Sequence, residues 1–224
     1  MAKRKLQRFA EIKTFVNVFQ HIQHSPQLED FKLKGKWNAE YFKNNNPIVL
    51  ELGCGKGEYT VGLANYFPNK NFIGIDIKGA RLWKGSKIAV ESGMKNVVFV
   101  RTKIEHIEKL FDKNEVSEIW ITFPDPQPQQ SREYKRLTSP DFLNRYKNIL
   151  QPNGIIHLKT DNFPLYEYSL KIAKENSCEV FDWTADLYGN HTKQREITVS
   201  IQTFYENKFA KKGFKICYLK FKIF

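Results

Sequence analysis

The sequence predicts an α/β fold with a mostly parallel seven-stranded sheet and helices on both faces. Three observations carry this expectation. From Pro47 onward, short apolar runs alternate with stretches of helical periodicity. The first run, Ile48–Leu52, leads directly into Gly53-Cys54-Gly55-Lys56-Gly57, a turn in which backbone can approach a ligand closely. Acids stand at the ends of the runs: Glu51 just before the glycines, and Asp76 after Phe72-Ile73-Gly74-Ile75.

In chain order, strands are expected at 48–52, 72–76, 97–100, 118–123, 155–159, 180–184 and 216–221. Helices are expected over 58–67, 80–92, 105–111, 140–149 and 164–176. Residues 1–46 read as a basic N-terminal extension, with Lys3, Arg4, Lys5 and Arg8 clustered at its start. Phe9, Ile12, Phe15, Val16 and Phe19 follow at near-helical spacing, which predicts a helix over 11–20 docked on the domain, or a basic arm contacting phosphates. Asn44-Asn45-Asn46-Pro47 is a polar linker into the main domain, 47–224. In such a fold ligands bind outside the carboxyl ends of the strands.

Composition narrows the partner. A net charge of +12 points to a polyanion, nucleic acid first. No apolar run reaches about 18 residues, so no transmembrane helix is expected. The start, Met1-Ala2-Lys3-Arg4-Lys5, lacks the apolar core of a signal peptide. Cys54, Cys178 and Cys217 are odd in number and form no Cys-x-x-Cys pair, which argues against a disulfide framework or a zinc site and suits a reducing cytosol.

The glycine loop is Gly-x-Gly-x-Gly, and Glu58 stands where a dinucleotide-binding loop has its last glycine. A negative Glu51 favours a cationic ligand over a pyrophosphate. S-adenosylmethionine, with its amino group and sulfonium, has that character. Asp76, at the end of the second strand, is placed to accept hydrogen bonds from a ribose. Further on, Phe123-Pro124-Asp125-Pro126-Gln127-Pro128 is a stiff loop at a strand's carboxyl end. It either holds Asp125 at the reaction centre or uses it only to turn the chain.

Glu51-x-Gly53-x-Gly55, Phe123-Pro124-Asp125-Pro126 and Thr160-Asp161, in that order, resemble the bacterial tRNA (guanine-N7-)-methyltransferases of the Rossmann-like class I methyltransferase fold. The resemblance runs from about Pro47 to the C-terminus and makes 47–224 a methyltransferase domain. It implies that Glu51, Gly53, Gly55 and Asp76 bind S-adenosylmethionine, and that Asp125 is catalytic and also touches the donor. The family's adenine contact falls at Thr102 or Lys103, where an acid is usual, with Glu105 close by. Asp161, Thr203 and Glu206 map to target-guanine contacts. A tRNA-binding lysine of the family is Gln129 here, and its usual tryptophan is Gln127; Arg132, Lys135 and Arg136 are nearby bases. The resemblance implies tRNA as partner, no metal, no membrane, a monomer or homodimer, and a cytoplasmic location.

The chemistry agrees with that implication. N7 of guanine carries a lone pair and no proton, so attack on a sulfonium methyl needs positioning and electrostatics rather than a strong base. Carboxylates suit the N1–H and N2–H₂ donors of guanine. Lys208, Lys211, Lys212, Lys215, Lys220 and Lys222 follow Glu206 with no acid among them and can serve phosphate contacts. Lys78, Arg81, Lys84 and Lys87 form a second basic stripe at roughly helical spacing. Two rivals remain at this stage: a methyltransferase for another substrate, and a non-catalytic RNA-binding protein on the same fold.

Overall fold

The computed structural model describes residues 2–22, 29–210 and 213–223. Its strands are β1 (Val18–Gln20), β2 (Ile48–Leu52), β3 (Asn71–Asp76), β4 (Val97–Arg101), β5 (Val116–Thr122), β6 (Leu150–Thr160), β7 (Glu179–Thr184) and β8 (Cys217–Lys222). Its α-helices are α1 (Ala2–Glu11), α2 (Glu58–Tyr66), α3 (Gly79–Glu91), α4 (Ile107–Leu110), α5 (Pro140–Ile149), α6 (Phe163–Glu175), α7 (Glu196–Ser200) and α8 (Phe204–Ala210). Lys211, Lys212 and Phe224 of the C-terminal basic stretch lie outside the described residues.

The sheet runs β1-β4-β3-β2-β5-β6-β8-β7. Pairing is parallel from β1 to β6, and β8 lies antiparallel to both β6 and β7. The central strands alternate between two buried faces, as a sheet covered on both sides requires. Leu50, Leu52, Ile73, Ile75, Ile119 and Ile121 belong to one apolar cluster. Val49, Phe72, Phe99 and Trp120 belong to the other. Strand order reverses at β2, which has β3 on one side and β5 on the other. The loops after β2 and β5 therefore flank the crevice where ligands of such sheets bind.

Local chemistry explains the helix starts. Ser139 caps α5, with Pro140 as its first residue. Asn162 caps α6, its Oδ1 accepting the Leu165 N–H at 2.9 Å.

The mostly parallel α/β sheet is as expected, with eight strands among the described residues where seven were read. The added strand comes with a correction near the N-terminus. The expected helix over 11–20 is absent; the helix ends at Glu11 and the chain reaches β1 instead. Thr14-Phe15-Val16-Asn17-Val18-Phe19 is rich in β-branched and aromatic residues, which favour strand. The otherwise unpaired edge of β4 accepts Val18–Gln20 in parallel register. Asn17 secures the turn by donating to the Ser86 carbonyl at 3.1 Å. The basic helix α1 packs on α3, where Glu11 accepts from Trp83 Nε1 at 2.7 Å and Arg8 lies over the Trp83 ring. The segment after it reaches the core through Phe31, Leu33, Trp37 and Phe42.

Candidate active site

At the β2–β5 crevice lies an open cavity of about 310 Å³. It is lined by Glu51, by Gly53, Gly55 and Lys56 of the glycine loop, by Thr203, Phe204 and Tyr205, and by Thr122, Phe123 and Arg81. Gly53, Gly55 and Gly57 have φ of +73°, +56° and +68°, a region that bars most side chains. Gly57 has a second constraint: a Cβ there would lie 2.5 Å from the Phe99 ring.

Glu51 is buried beneath this loop. One carboxylate oxygen accepts from the backbone N–H (2.7 Å) and the hydroxyl of Thr60; the other accepts from Thr122 Oγ1 at 2.7 Å. Burial pushes its pKa up to about 7, against the lowering effect of those hydrogen bonds. Among the described residues no lysine or arginine forms an ion pair with it. Asp76, at the end of the neighbouring strand, accepts from the Gly55 N–H at 2.9 Å and the Lys78 N–H at 2.7 Å, which ties the glycine loop to the start of α3. Beyond it Thr102 is buried and its hydroxyl has no partner among the described residues, while Lys103 and Glu105 are exposed.

The Phe-Pro-Asp-Pro loop begins with Phe123 at φ +49°, a strained value for a bulky residue. The Phe123 N–H donates to the Lys159 carbonyl at 2.8 Å, and its ring meets Tyr205 at 5.5 Å. Asp125 is exposed and accepts from the Gln127 N–H at 3.2 Å. It thus turns the loop and still presents carboxylate to solvent. Arg136 is spent on the same loop, donating to the Gln127 carbonyl at 3.2 Å. Gln129 is exposed, and the short 3₁₀ helix after it, Gln130–Lys135, carries Arg132 and Lys135 into solvent.

Asp161 is half-buried beside the cavity and accepts from the Tyr205 hydroxyl at 3.4 Å. Thr203 and Glu206 form a capping box at the start of α8: the Glu206 N–H donates to Thr203 Oγ1 at 3.0 Å, and the Thr203 N–H to Glu206 Oε2 at 3.3 Å. Glu206 is fully buried behind the cavity wall. Its carboxylate also meets Lys159 Nζ at 2.7 Å and accepts from the Tyr188 hydroxyl at 2.6 Å. Held this way, Glu206 supports the cavity wall and is not among the residues that line the cavity.

The structure thus gathers Glu51, Gly53, Gly55 and Thr203 around one cavity, with Asp161 reached through Tyr205. Asp125, Gln129 and Lys103 are exposed residues outside its lining. Sequence reading passed over Thr60, Thr122, Lys159 and Tyr205. Lys159 carried a signal: a lysine at the end of an apolar run, in a strand with both faces covered, is rarely buried unless paired.

A family model described as "Putative methyltransferase" matches residues 45–219. The solved structure of the 16S rRNA methyltransferase KamB superposes with a TM-score of 0.64 at 16% identity, covering 88% of this chain and 96% of that one. Fold and match together define a class I methyltransferase. Its curated relatives are closer. The tRNA (guanine-N(7)-)-methyltransferase of Christiangramia forsetii is 54% identical over 99% of both chains. That of Bacteroides fragilis is 48% identical over 99% of this chain and 86% of its own. The chain belongs to the tRNA (guanine-N7-)-methyltransferase family.

Proposed function

We propose that the protein transfers a methyl group from S-adenosylmethionine to N7 of a guanine in tRNA, at variable-loop position 46. The observation that supports this best is the cavity: it is lined both by Glu51, a buried carboxylate with no lysine or arginine paired to it among the described residues, and by Tyr205, whose hydroxyl reaches Asp161. The residues fit the donor. Glu51 suits a ligand carrying an ammonium group, the glycine loop offers close backbone approach, and the unpartnered Thr102 hydroxyl lies beyond Asp76 where an adenine would be met. When bound, S-adenosylmethionine supplies the methyl as part of a sulfonium.

The protein's own residues bind and orient. Asp76 receives ribose hydroxyls, and its hold on the Gly55 N–H keeps the loop in shape for them. Asp125 and Asp161 accept from the N1–H and N2–H₂ edge of guanine, which turns N7 toward the donor. The same carboxylates offset the positive charge that the purine gains on methylation. Thr203 and Tyr205 form part of the cavity wall, and Glu206 holds that wall from behind. Gln129 lies at the tRNA approach, where Arg132 and Lys135 meet phosphates in place of the family's lysine. Among the described residues no helix is long and apolar enough to cross a membrane, and we assign the work to the cytoplasm, as a monomer or homodimer.

The test is methyl transfer from labelled S-adenosylmethionine to unmodified tRNA transcript, followed by nucleoside analysis. The expected result is 7-methylguanosine that disappears when guanine 46 is replaced. tRNA binding without methyl transfer would overturn the assignment and favour the RNA-binding alternative.

A further inference from the structure

Lys159 is the last residue but one of β6, and it is fully buried. Its ammonium makes four contacts that converge from different parts of the chain. It donates to the Thr198 carbonyl, reaches the Ile201 carbonyl at 3.3 Å, pairs with Glu206 at 2.7 Å and lies 5.2 Å from the centre of the Tyr59 ring. Tyr59 belongs to α2, which follows the glycine loop directly. Thr198 and Ile201 precede, and Glu206 follows, the cavity-lining residues 203–205.

The rest of this segment leans on the same helix. Ile201 packs against Gly62 so closely that a Cβ there would lie 2.8 Å from it. The Phe204 N–H donates to Glu58 Oε2 at 2.9 Å, and Lys56 lies over the Phe204 ring at 4.0 Å. Burial lowers the Lys159 pKa and Glu206 opposes that effect. A buried ion pair is seldom retained for stability alone, since an apolar pair often serves as well.

We propose that Lys159 is a positioning residue whose ammonium latches residues 198–206 onto β6 and α2, and so sets the part of the cavity wall that residues 203–205 form. The proposal rests on reading that cavity as the donor site. With the latch closed, Tyr205 is held where it meets both Phe123 and Asp161. With it broken, α7, α8 and the turn between them lose their one buried charged anchor on the sheet among the described residues, and the wall loosens as a unit.

The experiment is hydrogen exchange on the full-length protein, read by mass spectrometry, together with titration of S-adenosylhomocysteine. Three variants are compared: Lys159→Met, Glu206→Gln, and both together. Glu206→Gln keeps the cap and tests the latch even where Lys159→Met fails to fold. In each single variant, exchange across 198–206 is expected to accelerate about 100-fold or more while β2 and β4 stay protected. S-adenosylhomocysteine affinity is expected to fall about tenfold. The double variant separates latch from charge balance. It carries no unpaired buried charge, yet it lacks the ammonium's bonds to Thr198 and Ile201, so the segment is expected to remain fast-exchanging.

Unchanged protection across 198–206, or loss spread evenly over all strands, would overturn the proposal. Full recovery of protection and affinity in the double variant would do the same. Failure of the wild-type protein to methylate tRNA would strike the proposed function and leave the exchange result standing on its own.

Discussion

Replacing Glu51 by glutamine removes a charge from a buried site while preserving its shape. The amide oxygen can accept from Thr60 and the amide nitrogen can donate to Thr122 Oγ1, so the hydrogen bonds survive. In the unfolded chain the carboxyl ionises near 4.5, and in the folded protein only near 7. Between those values the folded state binds more protons than the unfolded one. The stability associated with Glu51 is therefore fully present below pH 4.5 and is lost as pH rises through about 7. At one pKa unit per 1.36 kcal/mol the loss above pH 7 is about 3 kcal/mol. For a chain of this size that corresponds to about 6–12 °C in Tm.

Glutamine cannot ionise and escapes this loss. Glu51→Gln is expected to melt close to wild type at pH 5 and clearly above it at pH 8. The same change removes the partner of a cationic ligand, so S-adenosylhomocysteine is expected to bind about tenfold to 100-fold more weakly at pH 8 by calorimetry. In the wild-type protein its affinity is expected to decline as pH falls below about 7, where the Glu51 carboxyl takes up a proton. A Tm difference that does not change with pH, or undiminished affinity in the variant, would refute this reasoning.

Other outcomes follow from the same geometry. Asp125→Ala is expected to lower turnover about 100-fold and leave S-adenosylhomocysteine affinity within about twofold, because the side chain acts on orientation; equal loss of both would count against that role. Gly85→Ala would bring a Cβ to 2.7 Å from the Lys56 carbonyl oxygen and 2.9 Å from Gly57 Cα, so it is expected to displace the glycine loop, which a lower Tm and weaker S-adenosylhomocysteine binding would reveal. Arg132→Ala with Lys135→Ala is expected to weaken tRNA binding and reduce the salt slope of log K by about two, with donor binding unchanged; an unaltered slope would place the phosphate contacts elsewhere.

What the sequence revealed was governed by local patterns. The alternation from Pro47 onward placed β2 to β8, with only β6 starting five residues earlier than expected, because apolar runs in doubly covered strands stand out against polar loops. The glycine loop and Asp76 were legible for the same reason, since tight turns at strand ends draw on few residue types. The N-terminal helix was misplaced because 11–20 carries an apolar spacing that a helix and an edge strand can both satisfy, and only the free edge of β4 decides between them. Glu206 was visible as a residue, but its buried pairing was not. Thr203-x-x-Glu206 folds as a capping box, and the partner of Glu206, Lys159, lies 47 positions earlier in the chain.

A second, partly buried carboxylate shows what is particular about Glu51. Glu118 lies on the adjacent strand, β5, nearer its opposite end. Burial acts to raise its pKa too, yet His157 and Lys70 outweigh that effect and hold the carboxyl well below its usual range. Lys70 Nζ pairs with it at 2.8 Å, Trp120 Nε1 donates to it at 2.6 Å and His157 Nε2 lies 3.0 Å away. Glu51 has hydrogen bonds but no such cation. One sheet thus holds two carboxylates withdrawn from solvent to different degrees, one compensated from within the chain and one held by neutral donors alone. The less buried of the two, Glu118, has the lysine, while the fully buried Glu51 lines the cavity without one. A folding requirement would have favoured compensation at both sites or an apolar residue at each. A carboxylate kept costly at the mouth of a glycine loop is accounted for when its cation arrives with the ligand, and the energy withheld from folding then appears as affinity for that charge.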